Sequence, residues 1–438
     1  MFEVRDKPEM VQRAMLVGFC FDKEEEKEAR ALLLELEELV DTLEIGVVGM
    51  ELIRVRDTNK AFICGIGKAD EVVELARERD CDCLIIDNGL SPSQQRNWEE
   101  KTGITVIDRE EVILDIFAKR ASTKEAQLQV DLARMEYALP RMARMWGHLD
   151  REGGGGGGSG AASRGMGEQQ IEVDRRLARD RISAVKKELA QVRKQRETRR
   201  KERDRFEIPS AAIVGYTNAG KSTLLNRLSG SDVYQADKLF ATLDPTTRRI
   251  ELPGGQPLLL TDTVGFVRNL PHRLVEAFKS TLEEATLADF LIHVLDASDP
   301  GMEAFHRTTL EVLGELGAAE KPIITVLNKI DRLDDDERLH QLRERYPGAV
   351  EISAKSGKGI PDLVEAAEAQ LADRVRKRTY RLPQSRGDLV SLLHSEGKVV
   401  NTDFEGNDVI ATAVVTEPLH GKLREFLEEK VVTARPSH

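Results

Sequence analysis

The 438-residue sequence predicts an α/β protein of several domains. Three observations carry that prediction. Short apolar runs alternate with segments of helical periodicity, a G-x-x-x-x-G-K-S string sits between one such run and a helix, and two apolar seams of coiled-coil spacing lie in the middle of the chain. Four segments follow: an α/β layer over 1–121, a helical hairpin with a Gly-rich loop and a basic arm over 122–207, a phosphate-loop domain over 208–372 and a small α+β domain over 373–438.

In the first segment, strands are expected at Ala14–Phe19, Ala61–Cys64, Cys83–Ile86 and Ile104–Ile107, with helices over Glu24–Leu43 and Ala69–Arg79. That alternation predicts a mainly parallel sheet. The string Gly65-Ile66-Gly67-Lys68 superficially suggests a phosphate site, but a strand-to-helix turn needs glycine equally, and the turn reading is preferred. Leu90 to Glu99 (LSPSQQRNWE) begins where a strand ends and turns through Ser-Pro into a helix.

The middle segment reads as two helices. Leu128, Leu132, Met135 and Leu139 recur at coiled-coil spacing, and so do Ala178, Ile182, Val185, Leu189 and Val192, so each seam has a partner. The pure run Gly153 to Gly158 between them is expected to be mobile. From Arg175 to Arg205 there are fourteen Lys or Arg against five Asp or Glu, a local +9 in a chain of net charge −12. A solvated helix face is the ordinary reading of such a run, and an arm laid on nucleic-acid phosphates is the functional one. The local imbalance favours the arm.

In the third segment, Ala211 to Val214 deliver the chain to Gly215-Tyr216-Thr217-Asn218-Ala219-Gly220-Lys221-Ser222, and Thr223 continues into a helix. Such a loop cradles phosphates with converging N–H groups, with Lys221 on the β and γ oxygens, Ser222 on a magnesium ion and the helix dipole behind them. Asn328-Lys329-Ile330-Asp331 then selects the base, because the Asp331 carboxylate accepts both guanine N1 and N2 protons and adenine offers no such pair. Ser353, Ala354 and Lys355 follow a second strand, and the Ala354 N–H is placed to meet guanine O6. Together these motifs define a P-loop GTPase domain with GTP as substrate.

Between them lie the groups that sense the third phosphate. Asp262-Thr263-Val264-Gly265 ends an apolar strand, with Asp262 on magnesium through water and the Gly265 N–H on the γ-phosphate. Phe240, Ala241 and Thr242 open a Thr-rich stretch in which Thr242 is the second magnesium ligand, with Thr246 as competitor. Catalysis is assigned to Lys221, Gly265 and Asn218. Phe266 stands where better-known small GTPases carry a water-orienting Gln, so slow intrinsic hydrolysis and dependence on an outside group are expected. Asn218 either helps to hold a potassium ion beside the phosphates or bonds its own backbone.

Beyond Leu371, Arg374 to Arg381 reads as a basic connector, followed by strands at Val399–Asn401 and Asp408–Val415 and a helix over Leu419–Glu429. This is a small α+β unit.

The chain resembles the HflX-type GTPases of the translation-factor-related class, on LSPSQQRNWE, on Val106 to Ala121 (VIDREEVILDIFAKRA), on Glu125 to Met142 (EAQLQVDLARMEYALPRM) and on the Gly-rich stretch before a basic helix. It departs from that pattern at ASRGMGEQQIE, with Met166 where Pro is usual and Gln169 where Thr is usual. The resemblance implies a GTPase that binds the large ribosomal subunit and its RNA and separates or rescues subunits. Rival readings are a GTP-controlled ribosome assembly factor and a regulator of a protein partner such as a protease or membrane complex. Cys20, Cys64, Cys81 and Cys83 suggest no disulfide framework, and no apolar run approaches a membrane span, so a cytoplasmic location is expected. A monomer is the working expectation, which the sequence leaves open.

Overall fold

The computed structural model describes residues 11–428 apart from 57, 145–161, 205–207, 231–238, 241, 254, 270–283, 334–335 and 372–374. The chain divides into two compact units. The first comprises residues up to 195 together with 236–244 and 265–281, and the second comprises 196–235, 245–264 and 282–438.

The first unit holds a four-stranded parallel sheet in the order β2-β1-β3-β4, formed by β1 (Arg13–Cys20), β2 (Gly46–Arg54), β3 (Cys83–Ile86) and β4 (Thr105–Asp108). Helices α1 (Glu26–Thr42), α2 (Ile66–Glu78), α3 (Pro92–Thr102) and α4 (Arg109–Arg120) connect and flank it. Strands β1 and β3 are almost wholly buried, which is why they read as continuous apolar runs. Ser91 caps α3 with a complete capping box to Gln94, and Pro92 takes the first turn, as the Ser-Pro text predicts.

One expected strand is not formed. Ala61–Cys64 closes a tight turn instead, with Ile63 in the left-handed region and bridged to Asn59. The strand that pairs with β1 is β2, whose Gly46 and Gly49 weaken its sequence signal. At Gly49 the Arg79 guanidinium, which pairs with Glu51 at 2.5 Å, lies in the space a Cβ would take, so a side chain there would have to displace it.

The hairpin seam forms. Leu128 and Leu132 of α5 (Lys124–Ala138) pack on Ile182, Val185 and Leu189 of α6 (Ala162–Asp204), with Met135, Leu139 and Val192 at its margin. Two largely exposed cross-pairs flank the seam, Lys186 to Glu136 at 2.8 Å and Lys124 to Glu188 at 2.7 Å. Residues 162–172, where the text departs from the family pattern, are the opening turns of α6. The glycine run 153–158 lies outside the described residues.

The second unit carries a six-stranded sheet in the order β10-β9-β8-β5-β7-β6. Its strands are β5 (Ser210–Gly215), β6 (Thr246–Glu251), β7 (Pro257–Asp262), β8 (Phe290–Asp296), β9 (Ile323–Asn328) and β10 (Val350–Glu351), parallel except for the β6–β7 pair. Helix α7 (Lys221–Ser229) follows β5 directly. Helices α8 (Met302–Glu315), α9 (Asp336–Arg345) and α10 (Ile360–Leu371) complete this part of the unit. The parallel strands place their carboxyl ends, and the loops that follow, on one edge.

The C-terminal part is an antiparallel sheet in the order β11-β13-β12, with β11 (Val375–Pro383), β12 (Lys398–Glu405) and β13 (Asp408–Thr416). Helices α11 (Gly387–Glu396) and α12 (Glu417–Leu423) cover its apolar face through Leu389, Leu393, Leu419 and Leu423. The supposed basic connector is therefore a strand, paired with β13 along its whole length. Its Tyr380 and Leu382 are fully buried with the partly exposed Arg381 between them on the other face, a period-two pattern that a count of charge conceals. The helix expected over Leu419–Glu429 is the short α12 and a 3-10 turn at Arg424–Phe426.

A cluster of buried charge sits inside the first unit. Arg109 at the start of α4 is 3% exposed and pairs with Glu35 at 2.5 Å and Asp87 at 2.8 Å, while Arg268 reaches the second Glu35 oxygen at 3.1 Å. Removing one member leaves the others buried and uncompensated. Arg109→Met is expected to lower the stability of the first unit by about 3–5 kcal/mol. The same change at Lys68, whose pair with Glu71 is exposed, is expected to cost less than about 1 kcal/mol. Chemical denaturation followed by tryptophan fluorescence tests the contrast, since Trp98 lies in this core.

Candidate functional site

The loop between β5 and α7 takes its shape from backbone that only certain residues adopt. Gly215 has φ 146 and would drive a Cβ into the Val294 carbonyl, and Gly220 has φ 94 with the Asn328 side-chain amide occupying the space of its missing Cβ. Asn218 also takes a left-handed conformation, at φ 59. Its side chain is exposed and makes no hydrogen bond among the described residues, so the local backbone bond weighed for it is not formed.

Tyr216, Thr217 and Ala219 are buried, Ser222 is half-buried and Thr223 is exposed. The Tyr216 ring stacks on Phe305 of α8 with centroids 3.9 Å apart. Lys221 is 6% exposed, and its Nζ donates to the Tyr216 carbonyl at 2.8 Å. Burial brings its pKa down to about 8, with the Asp262 carboxylate working the other way. Asp262 ends β7, 1% exposed, and Thr263 next to it donates its hydroxyl to the Ile213 carbonyl at 2.8 Å, tying β7 to β5. Val264 is buried. A buried carboxylate at a strand end, a hydroxyl at the first turn of a helix and a lysine between them form a donor set suited to a hard divalent cation and the phosphates it bridges.

At the end of β9 the Asn328 side chain joins two loops. Its Nδ2 donates to the Ala219 carbonyl at 2.8 Å, and its Oδ1 accepts from the Ala354 N–H at 3.0 Å. The latter bond alters the sequence reading, because the Ala354 amide expected on guanine O6 is already engaged by Asn328. Lys329, at φ 62, is fixed by a 2.7 Å ion pair with Asp296 at the end of β8. Asp331 is held below the usual carboxylate range, mainly by a hydrogen bond from Ser353, with the Lys355 and Arg332 charges adding to it. The Ser353 side chain is buried and also accepts from the Ser356 N–H at 3.1 Å. The phosphate loop, Asp262, residues 328–331 and residues 353–355 thus all lie at the carboxyl-terminal edge of one sheet.

Phe240, Thr242 and Gly265 belong to the first unit, and Ala241 lies outside the described residues. Phe240, with φ 52 and 2% exposure, packs edge-on against Phe117 of α4 at 4.7 Å. Asp244, just past the half-buried Thr242, accepts hydrogen bonds from the backbone N–H and the hydroxyl of both Ser122 and Thr123, at 2.5 to 3.0 Å. Burial works against ionisation of Asp244, yet these bonds hold it below the usual range. Thr246, the competitor of Thr242, is exposed and stands opposite Asp262 in the β6–β7 register. Gly265 and Phe266 are buried, Phe266 at 1% exposure, so that ring has no solvent face from which to direct a water. Asp296, Arg227 and Asp244 were missed from the sequence. Asp296 had a signal in its place after an apolar run, whereas Asp244 lies in polar text and Arg227 in a Leu-rich helix whose sequence does not show what it reaches.

A phosphate loop with this base-reading edge on a mostly parallel sheet defines a P-loop GTPase. Three family models match the chain, "GTP-binding GTPase N-terminal" over residues 30–118, "GTP-binding GTPase Middle Region" over 120–203 and "50S ribosome-binding GTPase" over 210–329. GTPase HflX of Akkermansia muciniphila is 58% identical over 98% of this chain and 100% of its own length. GTPase HflX of Escherichia coli is 43% identical over 88% of this chain and 89% of its own. Among solved structures, a GTP-binding protein from the hyperthermophilic archaeon Sulfolobus solfataricus in complex with GDP is 26% identical, covers 82% of this chain and 98% of its own, and gives a TM-score of 0.42. The chain belongs to the HflX family of GTPases, and it is a GTP hydrolase.

The depressed pKa of Lys221 links phosphate binding to pH. Phosphate favours the charged amine, so above pH 8 the free site must take up a proton to bind, and affinity falls as pH rises. GDP affinity measured by calorimetry is expected to weaken between pH 7.5 and 9, steepening toward tenfold per unit. Lys221→Met should bind weakly and without that slope. A wild-type affinity flat across this range would show that the amine stays charged when the site is empty.

Proposed function

We propose that this GTPase binds the large ribosomal subunit and couples its GTP state to subunit dissociation or rescue, acting as a monomer in the cytoplasm. The observation that supports this most is the pairing, on one chain, of a 50S ribosome-binding GTPase domain with a 43-residue helix of strongly basic sequence. Arg175 and the cations that follow it along α6 are suited to RNA phosphates, which give affinity without base specificity.

In the second unit, Lys221 and the amides of 215–223 would hold the phosphates, Asp331 with Lys329 and Asn328 would hold guanine, and Ser222 and Asp262 (through water) would hold magnesium. A magnesium ion bound there neutralises charge on the β and γ phosphates. The unbonded, exposed amide of Asn218 is available to a potassium ion at the same phosphates. Phe266 leaves the attacking water unoriented, so an outside group must complete the site, and the Gly265 N–H senses the γ-phosphate.

Two measurements test this reading. Intact ribosomes incubated with the protein and a slowly hydrolysed GTP analogue are expected to sediment as free subunits. Binding without a shift in the profile would instead favour an assembly factor, and ribonuclease-resistant protein partners with no ribosome binding would favour regulation of a protein. Separately, replacing potassium by sodium is expected to lower turnover, and Asn218→Ala should abolish the difference. Equal rates in the two salts would remove potassium from the account.

A further inference from the structure

The base-reading loop is fastened from a side that the GTPase motifs do not include. Arg227, in the last turn of α7, directs its guanidinium across to residues 354–355, with Nε donating to the Ala354 carbonyl at 3.1 Å and Nη2 to the Lys355 carbonyl. The loop folds over this group, because a Cβ added at Gly357 would sit 3.8 Å from Arg227 Cζ. A trans peptide points its C=O and N–H in opposite directions. Fixing the Ala354 carbonyl toward α7 therefore turns the Lys355 N–H, which shares that peptide unit, away from the helix. That N–H has no hydrogen-bond partner among the described residues, whereas the Ala354 N–H is taken by Asn328.

We propose that Arg227 is a positioning residue for base selection, holding the Lys355 amide as the donor to the guanine O6. The inference rests on the guanine-binding reading of the site. It goes beyond that reading by placing part of the specificity in the phosphate-loop helix, outside the N-K-x-D and S-A-K strings. A cation also suits the position, since a charged donor polarises the amide and strengthens its N–H. The same arginine joins the helix behind the phosphates to the loop around the base, so a shift of either is felt by the other.

The test compares two diphosphates on the full-length chain, by competition against a fluorescent GDP reporter. GDP carries O6, and 2,6-diaminopurine riboside diphosphate carries an amine there and gains nothing from a donor at that place. Arg227→Ala is expected to weaken GDP about tenfold and the diaminopurine nucleotide less than about twofold, so that selectivity between them falls. Arg227→Lys, which retains a cationic donor able to reach one carbonyl, should recover part of the loss. Equal loss for both nucleotides, the result of a purely structural role, would overturn the proposal, and so would unchanged GDP binding. Failure of the wild-type chain to prefer GDP over the diaminopurine nucleotide would instead refute the guanine reading on which the proposal rests.

Discussion

The nucleotide site depends on one side-chain amide. Asn328 donates to the phosphate loop at Ala219 and accepts from the base loop at Ala354, and its presence excludes any side chain at Gly220. Two loops from distant parts of the chain are thereby set against each other by a buried group with both ends satisfied. Such a group is costly to disturb, because either partner left alone would be an unpaired polar atom away from water. The Lys329–Asp296 pair and the Asp331–Ser353 bond extend the same arrangement outward along the sheet edge. The site is therefore preorganised, and binding energy need not be spent on assembling it.

The segments next to Thr242 and Phe266 are held by different means. Asp244 follows Thr242 and is bonded to Ser122 and Thr123 at the start of α5, while Arg268 follows Phe266 and joins the buried cluster of Glu35, Arg109 and Asp87. Both contacts lie within the first unit, so the chain just past Thr242 and just past Phe266 is tied to its α/β layer. Hydrogen bonds to the half-buried Asp244 can exchange with water at lower cost than the Arg268 pair, which is largely desolvated. The two segments therefore differ in how readily they can be released.

Much of this was legible in the sequence because the physics is local. The phosphate loop declares itself through glycine and lysine spacing between a strand and a helix. The hairpin declares itself through seam periodicity, and α3 through Ser91, Pro92 and Gln94. Illegible parts depend on distant partners. Strand β2 carries glycines that propensity counts against, yet the Arg79 guanidinium fills the space beside Gly49. Strand β11 hides Tyr380 and Leu382 among cations. Ala61–Cys64 has strand composition but is spent on a turn through Ile63. In the site, no spacing rule could reveal that Arg227 reaches residues 127 and 128 positions later, or that Asn328 would claim the Ala354 amide.

On the proposed function, the protein holds GTP without the group that speeds its hydrolysis, because Phe266 is buried where a water-orienting side chain would be needed. The most direct measurement is GTP turnover by the purified chain in potassium buffer, alone and with saturating purified large ribosomal subunits. The account predicts slow turnover alone and strong stimulation by the subunits. Turnover that is already fast without them, or unchanged at saturation, would contradict it.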